Sequence, residues 1–95
     1  MNQTSIMIDN FSLNLLERIK HGDLIYSAVG SNRESLQEFE RLANALFDFE
    51  AAGLIEIQSK QSEVSRGEEF ISFIAVSHLT AVGEQELAKE IGFYH

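Results

Sequence analysis

The sequence contains no cysteine, no proline and no tryptophan. Without cysteine there are no disulfides, no thiolate nucleophile and none of the zinc-binding spacings built on paired thiolates. A reducing cytoplasm suits such a chain, and a cytoplasmic location is the expectation. Without proline, nothing marks a linker or a fixed break. Cations are scarce as well: 15 acidic side chains stand against 7 basic ones, for a net charge of −8. A field of that sign repels phosphate backbones and anionic lipid unless the few cations cluster. The first eight residues carry neither a basic start nor a continuous apolar stretch, so neither a secretory signal nor a membrane-spanning helix is expected there.

What remains is a chain of 95 residues, 44% of them apolar. That is enough for a packed interior without covalent support, and too short for a second domain with its own core. The expected organisation is a loose leader, residues 1–8, and one domain over residues 9–95.

Helical spacing begins at Phe11 and continues through Leu15, Leu16 and Ile19, with Asp9 placed as a cap and Lys20-His21-Gly22 as an ending. Residues 23–29 are ambiguous. Leu24, Ile25, Tyr26 and Val29 suit a short helix begun by Asp23, which is the favoured reading, but also a strand. Ser31 to Glu34 reads as a capping box with Ser31 as cap. The apolar positions Leu36, Phe39, Leu42, Ala43, Leu46 and Phe49 then repeat at helical spacing as far as Ala52, and Gly53 ends the run.

Ile55 and Ile57 alternate with polar residues as in a strand, Ser59 to Glu69 looks like a polar hairpin tip, and Phe70 to Val76 returns as a strand apolar on both faces. Such a strand lies inside a sheet or has a face covered by another subunit. Thr80 caps a last helix whose Val82, Leu87, Ala88 and Ile91 are expected to turn inward before Gly92.

Two local motifs carry a family likeness. Leu46-Phe47-Asp48-Phe49-Glu50-Ala51-Ala52-Gly53-Leu54-Ile55 resembles the end of the third helix of winged-helix proteins, where it leads into the wing. Leu79-Thr80-Ala81-Val82-Gly83-Glu84-Gln85-Glu86-Leu87 is similar to the start of the helix after the wing in regulators of the MarR and PadR kind. The resemblance covers most of Ser31 to Ile91. It implies an α+β winged helix with three N-terminal helical elements, a two-stranded hairpin wing and a C-terminal helix. For function it implies a homodimeric regulator of transcription whose long helix, 32–52, enters the major groove of double-stranded DNA.

On that reading Arg33, Gln37, Arg41 and Asn44 share an outward helix face and reach base edges, while Lys60 and Arg66 touch phosphates. The competing account is a solvated face on which Arg41 pairs with Glu38. The acidity of the chain supports a second function, an adaptor that binds another protein through the same surface or a strand edge. Phe11, Phe73, Phe93 and Tyr94 are the candidate dimer or partner contacts. No enzyme is expected. His21, His78 and His95 lack ligand spacing, no nucleophile-and-base motif is present, and the glycines are isolated, so no catalytic residue, metal or cofactor is implied.

Overall fold

Leu15, Leu16 and Ile19 bury one side of the first helix, α1 (Asn10–Lys20), in the computed structural model, which describes residues 10–92. The leader and the Asp9 cap therefore lie outside the described residues. Gly22, at φ +95°, turns the chain out of α1 as its position after the helix requires.

The next segment is a strand, β1 (Ile25–Ser27), and this corrects the short helix favoured for residues 23–29. Tertiary pairing decides it. The Leu24 carbonyl accepts from Val76 N at 2.8 Å and Ala28 N donates to Ser72 O at 2.9 Å, so the segment satisfies its backbone on a neighbouring strand. Tyr26, 4% exposed, anchors it. The Tyr26 hydroxyl donates to the Asp23 carbonyl at 2.5 Å, and Arg18 lies 5.1 Å over the ring while pairing with Asp23 at 3.0 Å.

Burial, aided by the Asp23 charge and opposed by Arg18, pushes the Tyr26 phenol up from 10.0 to about 12. The unfolded chain thus loses this proton first. The stabilisation from the neutral phenol is fully present below pH 10 and is lost as pH rises to about 12. Tyr26→Phe is expected to cost about 1 kcal/mol at neutral pH by removing the hydrogen bond, and to flatten the loss of stability between pH 10 and 12. Urea midpoints of both proteins across that range check this, and parallel curves would refute it.

After a five-residue connection, α2 (Arg33–Ala51) starts at Asn32, not at Ser31. The Asn32 side chain accepts from Ser35 N at 2.8 Å, so it is the cap in place of the serine one residue earlier. Leu36, Phe39, Ala43, Leu46 and Phe49 are buried along α2. Gly53, at φ +80°, closes it, with Leu54 N returning to Phe49 O at 2.9 Å.

The chain then enters β2 (Ile55–Ser65) and β3 (Glu68–Leu79), joined by Arg66 and Gly67 alone, both at positive φ. A two-residue turn of that hand matches the twist of the strands it joins. The strands are thus longer than the sequence implied, and the polar segment 59–69 is mostly paired backbone. The antiparallel sheet has the order β1-β3-β2, with Ile25 opposite Ala75, Tyr26 opposite Ile74 and Ser27 opposite Phe73. Ile74 is fully buried, and Lys60, opposite it on β2, lies over Phe47 of α2, so that side of the sheet faces the helices. Phe73 and Ala75 point to the other side.

Thr80 starts the last helix, α3 (Ala81–Gly92). Its Oγ1 accepts from Gly83 N at 2.9 Å and lies 2.6 Å from Gly53 O and 2.9 Å from Leu54 O, so one hydroxyl ties the start of α3 to the corner after α2. That contact fixes which side of α3 turns inward. Gly83 and Leu87 are buried, whereas Val82, at 51% exposed, and Ala88 face out, contrary to the expected inward face. Ile91, Phe93 and Tyr94 are expectations on side chains outside the described ones. One core joins Leu15, Leu16, Ile19, Tyr26, Leu46, Ile55, Ile74 and Leu87, drawing on all six elements.

Candidate functional site

Only one helix lies between β1 and β2. A helix-turn-helix needs two, and where the winged-helix resemblance implied the first of them the chain has β1 instead. Beside α2, between the start of α1 and the 27–29 segment, the surface is hollow.

Phe11, Gln37, Glu38, Arg41 and Leu42 line a recess of about 480 Å³. Ser27, Ala28, Val29, Ser35, Glu38, Phe39 and Leu42 line another of about 210 Å³. Glu38 and Leu42 belong to both, so the two form one groove along α2. From Ser35 to Leu42 it follows about 10 Å of helix, at 1.5 Å per residue. Phe11, Phe39, Leu42 and Val29 make it apolar, and Val29 is 96% exposed.

The six candidate DNA contacts are dispersed by the fold. Gln37 and Arg41 share the groove, and Arg41 sits 4.5 Å over the Phe11 ring, not paired with Glu38 as the competing account had it. Asn44 is exposed on the same helix. Arg33 turns to the hairpin, pairing with Glu68 at 2.5 Å and lying 5.5 Å over Phe70. Lys60 faces α2, 5.1 Å over Phe47. Arg66 stands at the hairpin turn, six residues from Lys60 and about 20 Å further along at strand spacing.

Of the seven cations, Arg18, Arg33, Arg41 and Lys60 lie over rings, and Lys89 reaches Glu86 at 3.7 Å. Lys20 and Arg66 are the two without a ring or carboxylate contact among the described residues. They lie at the end of α1 and at the hairpin turn, and do not extend the α2 face.

Of the candidate partner contacts, Phe11 lines the groove and Phe73 is half-buried on the sheet side away from the helices. Phe93 and Tyr94 lie outside the described residues. The sequence reading missed Val29 and Leu42 as surface, while Phe39 is buried as expected and meets the groove only at its edge. The available signal was an α2 apolar stripe wider than one buried face needs, with Leu42 and Ala45 at its margin.

Among the described residues no group of three or more His, Asp or Glu side chains is placed to hold a metal ion, and no helix is long and apolar enough to cross a membrane. No family model, curated protein or solved structure matches the chain.

Proposed function

We propose that this chain is a protein-interaction module derived from a winged helix, which holds an amphipathic helix of a partner in the groove along α2. The observation that carries the reading is the single helix between β1 and β2, with an apolar channel open at its side. An apolar groove beside a helix takes the apolar face of another helix through residues at spacings of three and four. Glu34 and Glu38 on α2, together with the net charge of −8, favour a partner whose other face is basic.

Charge also supports this choice over DNA. Three of the four cations on α2 and the hairpin are held over rings, leaving little basic surface from which counterions would be released.

The test is fluorescence anisotropy at low salt with two probes: a labelled 20-base-pair duplex, and a designed 16-residue peptide with leucines at helical spacing and lysines elsewhere. Saturable binding of the peptide is expected, with none for a scrambled peptide. Val29→Asp, at a position too exposed to matter for folding, should weaken it about tenfold, or roughly 1.4 kcal/mol. Duplex binding that falls steeply with salt and is lost on Arg41→Ala would reverse the assignment in favour of a DNA-binding regulator.

A further inference from the structure

On one side the sheet ends in a long strand with an open edge. β2 has β3 along one side and no strand along the other among the described residues, and every side chain from Gln58 to Val64 is exposed. Its pairing with β3 shifts at three places, but from Ser59 to Ser65 each β2 residue in turn has its own partner. The residue passed over after Gln61 is Ser72, on β3. What remains is an unbroken edge of seven residues, about 23 Å long at strand spacing.

Which backbone groups face outward follows from β1. Val76 N and Ser72 O bond to the β1 segment, so Phe73 and Ala75 direct theirs to the other side, where Gln61 and Ser59 lie opposite. By the same alternation Lys60, Ser62 and Val64 turn their amide and carbonyl groups to the open edge. Such an edge pairs with another strand unless proline, a charge or a bulge blocks it. The chain has no proline, β2 has no extra residue in this stretch, and its single cation, Lys60, is drawn over Phe47 of α2.

Charge identifies the occupant. With a net charge of −8 the chain repels its own copy over most of its surface, yet Ser59 to Ser65 holds one lysine and one glutamate and is neutral. We infer that β2 pairs antiparallel with β2 of a second copy, about a two-fold axis through Ser62, to give a continuous six-stranded sheet. This register uses the whole open stretch. Ser62 faces its own copy, Lys60 faces the partner's Val64, Gln61 the partner's Glu63 and Ser59 the partner's Ser65, so no like charges meet. Val64, 72% exposed in the single chain, gains the aliphatic stem of the partner's Lys60 as cover.

Two edges of this length bury less than the roughly 1,200 Å² at which stable complexes begin, so the dimer belongs to the weak, concentration-dependent class. The α2 groove adjoins Ser27 of β1, at the opposite edge of the sheet, so pairing leaves both grooves open and does not depend on what they bind.

The test is sedimentation equilibrium of the full chain up to about 1 mM, where association of that class is measurable. Reversible dimers are expected for the wild type. Val64→Lys, which sets a second cation against the partner's Lys60, should weaken them about tenfold, whereas Val64→Glu should not. Net charge alone gives the reverse order, because the lysine brings the chain closer to neutrality. The absence of native cysteine allows a second readout. Under mild oxidation Ser62→Cys should form disulfide-linked dimers, since residues facing their own copy in a hydrogen-bonded pair have Cα atoms about 5.5 Å apart. Val64→Cys, about 14 Å from its copy in this register, should not.

A chain that stays monomeric throughout the range overturns the inference. So does a dimer that is indifferent to the Val64 substitutions, or one linked no better through Ser62→Cys than through Val64→Cys, since the two copies then meet elsewhere.

Discussion

Replacing Gly83 by alanine should lower the stability of this protein by about 2–4 kcal/mol, although glycine to alanine within a helix ordinarily raises it by up to about 1 kcal/mol. The inversion comes from one close approach. A Cβ built on Gly83 falls on the Leu54 carbonyl oxygen, lies 3.0 Å from the carbon of that carbonyl, and is 2.8 Å from Leu79 Cδ1. The obstructing group is backbone at a corner that accepts from Thr80 N at 2.9 Å and lies within reach of the Thr80 hydroxyl. It does not yield without releasing those bonds. α3 would have to tilt away from the corner, withdrawing Leu87 from the core. Urea unfolding followed by circular dichroism measures the change, and a variant as stable as the wild type would show that α3 does not sit so closely on the corner.

Two neighbouring residues on β3 should behave very differently. Ile74→Ala is expected to cost about 3–4 kcal/mol, within the usual range for emptying a fully enclosed aliphatic site. Its side chain lies between Tyr26 on β1 and Lys60 on β2, beneath the helices, where no neighbour can close the space without moving a strand. Phe73→Ala removes a larger side chain and should cost only about 1 kcal/mol in the monomer, because that ring is already partly in water. The order of the two effects tests the strand register directly. If Phe73→Ala proved the more damaging, then either the register is wrong or the outer sheet side is covered by another molecule under the conditions used. Sedimentation analysis separates these outcomes.

Much of the architecture was legible from residues whose roles are local. Gly53, Thr80 and Gly22 announced element ends because their backbone or capping demands are met within a few residues of themselves, although the crowding of Gly83 against Leu54 needed the folded corner to explain it. The long helix was plain from its apolar spacing, and the paired strands after it from their alternation.

Failures occurred where the deciding partner was distant in sequence. Ile25, Tyr26 and Ser27 form a strand because β3 offers free backbone groups some fifty residues later, which no local pattern reveals. Ser59 to Ser65 read as a tip because its side chains are polar, but sheet pairing uses the backbone and is indifferent to them. Val82 and Val29 were apolar and exposed, and the assumption that apolar means buried is only a one-way rule. The candidate contacts on α2 were correctly placed on one helix, yet Arg33 and Arg41 were already engaged by Glu68, Phe70 and Phe11, residues whose proximity only the tertiary structure supplies.

The position of β3 governs when this molecule can assemble during its manufacture. It is the middle strand of the sheet and also the last to be made, so β1 and β2 both emerge from the ribosome with nothing to bond to. Until Leu79 of the 95 residues is outside the exit tunnel, the nascent chain can form helices but no complete sheet. A polypeptide released or cleaved shortly before that point would expose the apolar sides of α1 and α2 together, the kind of fragment that quality-control proteases remove.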